Sequence, residues 1–168
     1  LGIYGILDIT INIFSEFLVL GLPNAIIMIN NMWEYKETQK ENFFTIFIFM
    51  VMFCILFILT SEVSLPFIIQ YFQDTQNFQI YFRISTYVIT FRMLNNLFFN
   101  KLRADEKSIL YTSGNLIKLC INVGLIAYFV IVLNLKVVAI LYAYLISEVI
   151  LFTIYLPIMI KQMSPKFY

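Results

Sequence analysis

Six ionisable side chains lie inside stretches that are otherwise almost wholly apolar: Asp8, Glu16, Arg83, Arg92, Lys118 and Glu148. Each costs about 2.5–3.5 kcal/mol at the centre of a membrane-spanning helix, so such residues face a bundle interior, a wet cavity or one another. Their types define the chemistry open to them. Lysine and arginine in a low-dielectric cleft draw in anions, phosphates above all, through charge-assisted hydrogen bonds. Carboxylates in the same place take part in coupling or gating, or simply neutralise the bases. Three acids and three bases balance, so mutual pairing and a functional cavity both remain open.

The neighbours of these charges favour a cavity. Asp8 and Glu16 fall on one helical face with Asn12 and Ser15, at about 100° per residue. Arg92 shares a side with Ser85 and Asn96, and Lys118 has Tyr111, Gly114, Asn115 and Asn122 beside it. Glu148 is flanked by Tyr144 and Tyr155, one and two turns away. Isolated ion pairs would not need so many neutral polar groups. Arg92, Lys118, Asn115 and Asn122 are therefore the candidate substrate-binding residues, and Asp8, Glu16 and Glu148 the candidates for coupling or gating. Arg83, nine residues before Arg92, falls on roughly the opposite face near the outer end, where it can snorkel.

Enzyme chemistry is not expected. The chain has no histidine, the commonest metal ligand and general base, and no nucleophile or metal set accompanies the acids. Dinucleotide, P-loop, nucleophile-elbow and CxxC motifs are absent, so no cofactor and no metal are expected. Cys54 and Cys120 lie in apolar runs and read as packing residues. A net charge of +1 gives no basic field for nucleic acid.

These residues must be positioned by helices in lipid. Of the 168 residues, 61% are hydrophobic and 12% charged, and the mean hydropathy is +0.87. Soluble domains run about 45–50% apolar and about 25% charged. The expected fold is all-α and integral to the membrane, a single bundle over residues 1–168. About five transmembrane helices are predicted, over 3–29, 43–60, 78–99, 109–133 and 137–160. "SLPFIIQYF", with Pro66 inside it, is either an interfacial turn or the end of a longer, kinked second helix. "GLPN" (Gly21 to Asn24) should kink the first. The loops on one side hold Lys36, Lys40, Lys101, Arg103, Lys107, Lys161 and Lys166, against Lys136 alone on the other. Basic loops stay cytoplasmic, which makes "NKLRADEKS" a cytoplasmic hairpin. The chain opens on Leu1 with no secretory signal pattern, and a truncated or processed start is expected.

"LGIYGILDITINIFSEFLVLGLPNAIIM" resembles the second transmembrane helix of Wzx-like bacterial polysaccharide (O-antigen) flippases. These form a branch of the multidrug/oligosaccharidyl-lipid/polysaccharide exporter superfamily. "NKLRADEKSILYTSGNLIKLCINVGLIAYFVIVLNLKVVAILYAYLISEVI" is similar to the fourth-to-sixth helix region of that family. The resemblance covers nearly the whole chain, through hydropathy and a few anchor residues. It implies a flippase that moves undecaprenyl-pyrophosphate-linked sugars across the bacterial cytoplasmic (inner) membrane for surface polysaccharide and lipopolysaccharide synthesis. It also implies that the chain is helices two to six of an N-terminal bundle, part of a longer multidrug-exporter-like transporter. In that family a cationic central cavity takes the pyrophosphate and sugar, which by position would be the work of Arg92 and Lys118. Partners would be the lipid bilayer, the lipid-linked oligosaccharide and glycan-assembly membrane proteins. Two other readings stay open: a cation-coupled multidrug exporter of the same fold, and a small membrane assembly or structural protein.

Overall fold

The computed structural model describes residues 38–70, 75–134 and 136–164, together with residues 9, 11–13, 15, 21 and 25–28. Among these residues four long helices follow one another: α1 (Gln39–Ile69), α2 (Thr75–Ala104), α3 (Ser108–Ile131) and α4 (Lys136–Ile160). No strand occurs among the described residues. Residues 9, 11–13, 15 and 25–28 are also helical, within the predicted first span; Gly21 is a turn residue with φ 70°, and the rest of that span lies outside the described residues.

Three of these elements are long and apolar enough to cross a membrane: α1, α3 and Val138–Ile160 of α4. The chain is an α-helical membrane protein. Its surface is arranged accordingly. α1 turns Phe49, Met52, Leu56, Leu59, Val63 and Phe67 outward at helical spacing. An apolar face of that size is untenable in water and ordinary in lipid. α2 is the exception, being too polar to meet the same criterion. It carries Arg83, Arg92, Lys101 and Arg103 along with several Asn and Thr residues. Yet α2 is well enclosed, with Val88, Met93, Leu97, Phe98 and Leu102 almost completely covered. In lipid the polar helix belongs inside, where its side chains find partners.

α2 packs against α4 and α1, and α3 leans mainly on α4. Aromatic rings tie three of the helices together. Phe47 of α1 stacks on Phe98 of α2 at 5.7 Å, Phe98 on Phe152 of α4 at 5.7 Å, and Phe91 meets Phe152 edge-on at 5.6 Å. Offset and edge contacts of this kind add about 0.5–1.5 kcal/mol each beyond the area they bury.

The second predicted span is longer than the 43–60 expected. α1 continues through Pro66 to Ile69, so "SLPFII" is helix rather than an interfacial turn. Proline takes away one backbone donor, but the preceding turns are long established and Pro66 lies within a turn of the end.

The hairpin "NKLRADEKS" ends α2 with paired backbone bonds: Lys107 N–H donates to the Leu102 carbonyl at 2.9 Å and Glu106 N–H to that of Arg103 at 3.0 Å. Glu106 takes the left-handed conformation (φ 59°) that this cap requires, a place more often filled by glycine. Lys101 is buried, pairs with Asp105 at 2.6 Å and lies 5.6 Å from the Phe43 ring centre. Arg103 stacks over Tyr111, 4.3 Å from its ring centre. Ser164 N–H reaches the Lys40 carbonyl at 3.4 Å. The start of α1, the α2–α3 hairpin and the end of α4 thus gather at one end, with Lys40, Lys101, Arg103 and Lys107.

Candidate functional site

The charges inside the bundle meet at Glu148. It lies midway along α4, where Ala143, Ser147, Leu151 and Tyr155 are also buried. The Glu148 side chain is 0% exposed. Its Oε1 accepts from Arg92 Nε at 3.1 Å and from Lys118 Nζ at 2.7 Å. Its Oε2 accepts from Asn95 Nδ2 at 2.8 Å, and the same amide reaches the Glu148 backbone carbonyl at 2.9 Å. Three helices therefore converge on one carboxylate: α2 through Arg92 and Asn95, α3 through Lys118, and α4 through Glu148 itself.

Arg92 makes two more contacts. Its Cζ lies 5.6 Å from the Tyr144 ring centre, and its Nη1 donates to the Asn12 side-chain oxygen. Asn12 belongs to the predicted first span, and Ser15, one turn on, is buried with its hydroxyl on the Asn12 carbonyl at 2.9 Å. Arg92 is 13% and Lys118 25% exposed. Two cations against one anion leave the three-way cluster with a net charge of +1. A carboxylate withdrawn from solvent is tolerable only when its lone pairs are filled by charged and neutral donors, and here both oxygens are filled.

Of the residues singled out from sequence, Arg92, Lys118 and Glu148 are brought together. Asn115 is not part of the cluster, since its amide donates to the Tyr111 carbonyl of its own helix at 3.1 Å. Asn122, one turn beyond Lys118, is half-buried, and its Oδ1 is enclosed without a hydrogen-bond donor. The Oδ1 of Asn95 and the hydroxyl of Ser85 share that condition. Asp8 and Glu16 lie outside the described residues.

Two residues of importance escape the sequence reading. Asn95 rather than Asn96 is the amide that serves Glu148; both are within a turn of Arg92, and only the packing of α4 separates them. Glu62 lies just past the predicted end of the second span. It pairs with Arg83 through two donors, Nε at 3.1 Å and Nη2 at 2.9 Å. Arg83 is therefore bonded to α1 rather than simply reaching for the interface. The two side chains are 48% and 37% exposed. A pair so open to its surroundings is worth at most about 1 kcal/mol. Glu62→Gln is expected to shift unfolding of the purified protein in detergent by no more than that. A loss of several kcal/mol would mean that this pair is sealed off from solvent.

The structure thus defines an α-helical membrane protein with a buried charge cluster that is net-positive among the described residues. Comparison with family models, curated proteins and solved structures gives no match.

Proposed function

We propose that this chain forms part of a membrane transporter, a flippase that carries polyprenyl-pyrophosphate-linked oligosaccharide across the bacterial cytoplasmic membrane for surface polysaccharide synthesis. The observation that carries the reading is the net-positive Arg92–Glu148–Lys118 cluster, held by three helices inside an apolar bundle. Two cations gathered in a low-dielectric site suit a substrate whose head is a pyrophosphate. The likeness of "LGIYGILD" and "NKLRADEKSILY" to Wzx-like flippases points the same way. In this reading α2 also spans, a further helix over 3–29 makes five, and the end bearing Lys40, Lys101, Arg103 and Lys107 faces the cytoplasm. A cationic drug would be repelled by such a site, which argues against the multidrug alternative.

Lys118→Ala combined with Arg92→Ala, introduced at the native locus, is expected to abolish surface-glycan export while the protein still reaches the membrane. Normal export by the double variant at normal abundance overturns the reading. The three-way pairing itself favours one competitor, an assembly protein whose charges only fasten helices together. In that case chemical crosslinking should recover a stable complex with another membrane protein, and glycan export should follow that complex rather than the two bases.

A further inference from the structure

We infer that Glu148 is the resident counter-ion of the cationic site, a carboxylate that holds the place of the substrate's phosphate until that phosphate displaces it. The inference rests on the flippase reading above. Its ground is the way the carboxylate is shared. Lys118 Nζ and Arg92 Nε approach a single oxygen, Oε1, at 2.7 and 3.1 Å. The second oxygen is fixed separately by Asn95 at 2.8 Å. Two cationic donors converging on one anionic oxygen form an arrangement that a phosphate oxygen satisfies equally well.

The arms of the cluster are not equally held, although α3 itself is seated on α4 at Gly114. α2 and α4 share the Phe98–Phe152 and Phe91–Phe152 contacts as well as the Asn95 grip on Glu148. In α3, by contrast, Gly114 is the one buried residue. Lys118, carried by α3, is also the most exposed member of the cluster. Glu148 therefore stays with α2 and α4, and Lys118 is the arm that lets go. Exchange of one anion for another at Lys118 creates no unpaired charge in the bilayer. It also sets a threshold. An incoming headgroup must outbid a carboxylate already in place, which a pyrophosphate, bearing more than one charge, does better than the singly charged phosphodiester of an ordinary anionic lipid.

The test is equilibrium binding of farnesyl pyrophosphate to the full chain in phosphatidylcholine nanodiscs, with inorganic pyrophosphate run in parallel. Glu148→Gln removes the competing charge and is expected to tighten binding about ten-fold, a coupling of ordinary size. Because that variant also loses an ion pair, Glu148→Asp serves as a second probe. It keeps the charge, retracts it by one methylene, and should give a smaller gain. Lys118→Ala should bind more weakly than the unaltered protein. A gain with both ligands supports the counter-ion role with the diphosphate alone as the recognised group; a gain with farnesyl pyrophosphate only supports it with the lipid chain also required. If the unaltered protein binds and neither Glu148 variant binds more tightly, the counter-ion role is overturned while the flippase reading stands. If no form binds either ligand, both fall.

Discussion

Replacing Glu148 with alanine is expected to cost the bundle about 3–5 kcal/mol, the usual penalty for removing one partner of a buried ion pair. Two effects of different size compete in that figure. Interhelical hydrogen bonds inside membranes average only about 0.6 kcal/mol, so losing the Asn95 contacts alone would hardly be noticed. Leaving buried charge uncompensated is the larger effect, since a single such charge at the centre of a span costs about 2.5–3.5 kcal/mol and already accounts for most of the figure. The measurement is reversible unfolding of the purified protein in mixed micelles, followed by helical circular dichroism. Adding Lys118→Met to the Glu148→Ala variant removes one orphan and should return a substantial part of the loss. A cost below about 1 kcal/mol would carry its own message. It would mean that both cations reach water when Glu148 is gone, and hence that the cluster borders a hydrated cavity.

That distinction bears on what the sequence could reveal. The charges themselves were conspicuous, because an ionisable residue in an apolar run is rare for a thermodynamic reason. The helical periodicity also put Lys118 on the face of Asn115 and Asn122. Which charge meets which is another matter. Helix rotation is set by packing, which spacing along one helix does not give. Hence Asn95 took the role that its neighbour Asn96 might equally have taken on spacing alone. Asn115, on the same face as Lys118, is spent on its own backbone.

The helices were legible to within a few residues where hydropathy changes abruptly, as at both ends of α3. They were less so where a local rule and the membrane disagree. Pro66 leaves an interfacial turn and a longer helix both open on sequence, and the longer helix forms because in lipid the alternative leaves several donors and acceptors unsatisfied. The pair Glu62–Arg83 is hidden for the same reason, since Glu62 falls just past the predicted 43–60. α2 shows the opposite limit: residues 78–99 are predicted as a span, yet the helix is not among the three apolar enough to cross a membrane by composition. Its polarity is what equips it to lie enclosed between α1 and α4.

Substituting Gly114 is the second change expected to have a large effect, and it tests how α3 is seated. A Cβ added there would lie 2.2 Å from the Tyr155 hydroxyl oxygen and 2.9 Å from both Tyr155 Cζ and Phe99 Cε1. None of these atoms has room to retreat. Tyr155 is buried, its hydroxyl donates to the Leu110 carbonyl at 2.8 Å, and its ring meets Phe99 edge-on at 5.7 Å. Phe99 also meets Tyr111 edge-on at 5.6 Å. Gly114→Ala must therefore push α3 away from α4, at about 1–3 kcal/mol, and Gly114→Val further still. Because Lys118 is one turn along on the same helix, the displacement should also lengthen its contact with Glu148. Tyr155→Phe deletes the atom that clashes most and should recover part of the Gly114→Ala loss, although the contacts at 2.9 Å remain. Gly124 provides the control, for nothing lies within 4 Å of a Cβ added there. Gly124→Ala should leave unfolding in micelles unchanged or slightly raise stability, since alanine is the better helix former. If the two substitutions behave alike, α3 is not seated against Tyr155 as described. If Gly114→Ala alone weakens both the bundle and the Lys118–Glu148 contact, a single glycine sets the distance at which α3 presents its lysine to the site.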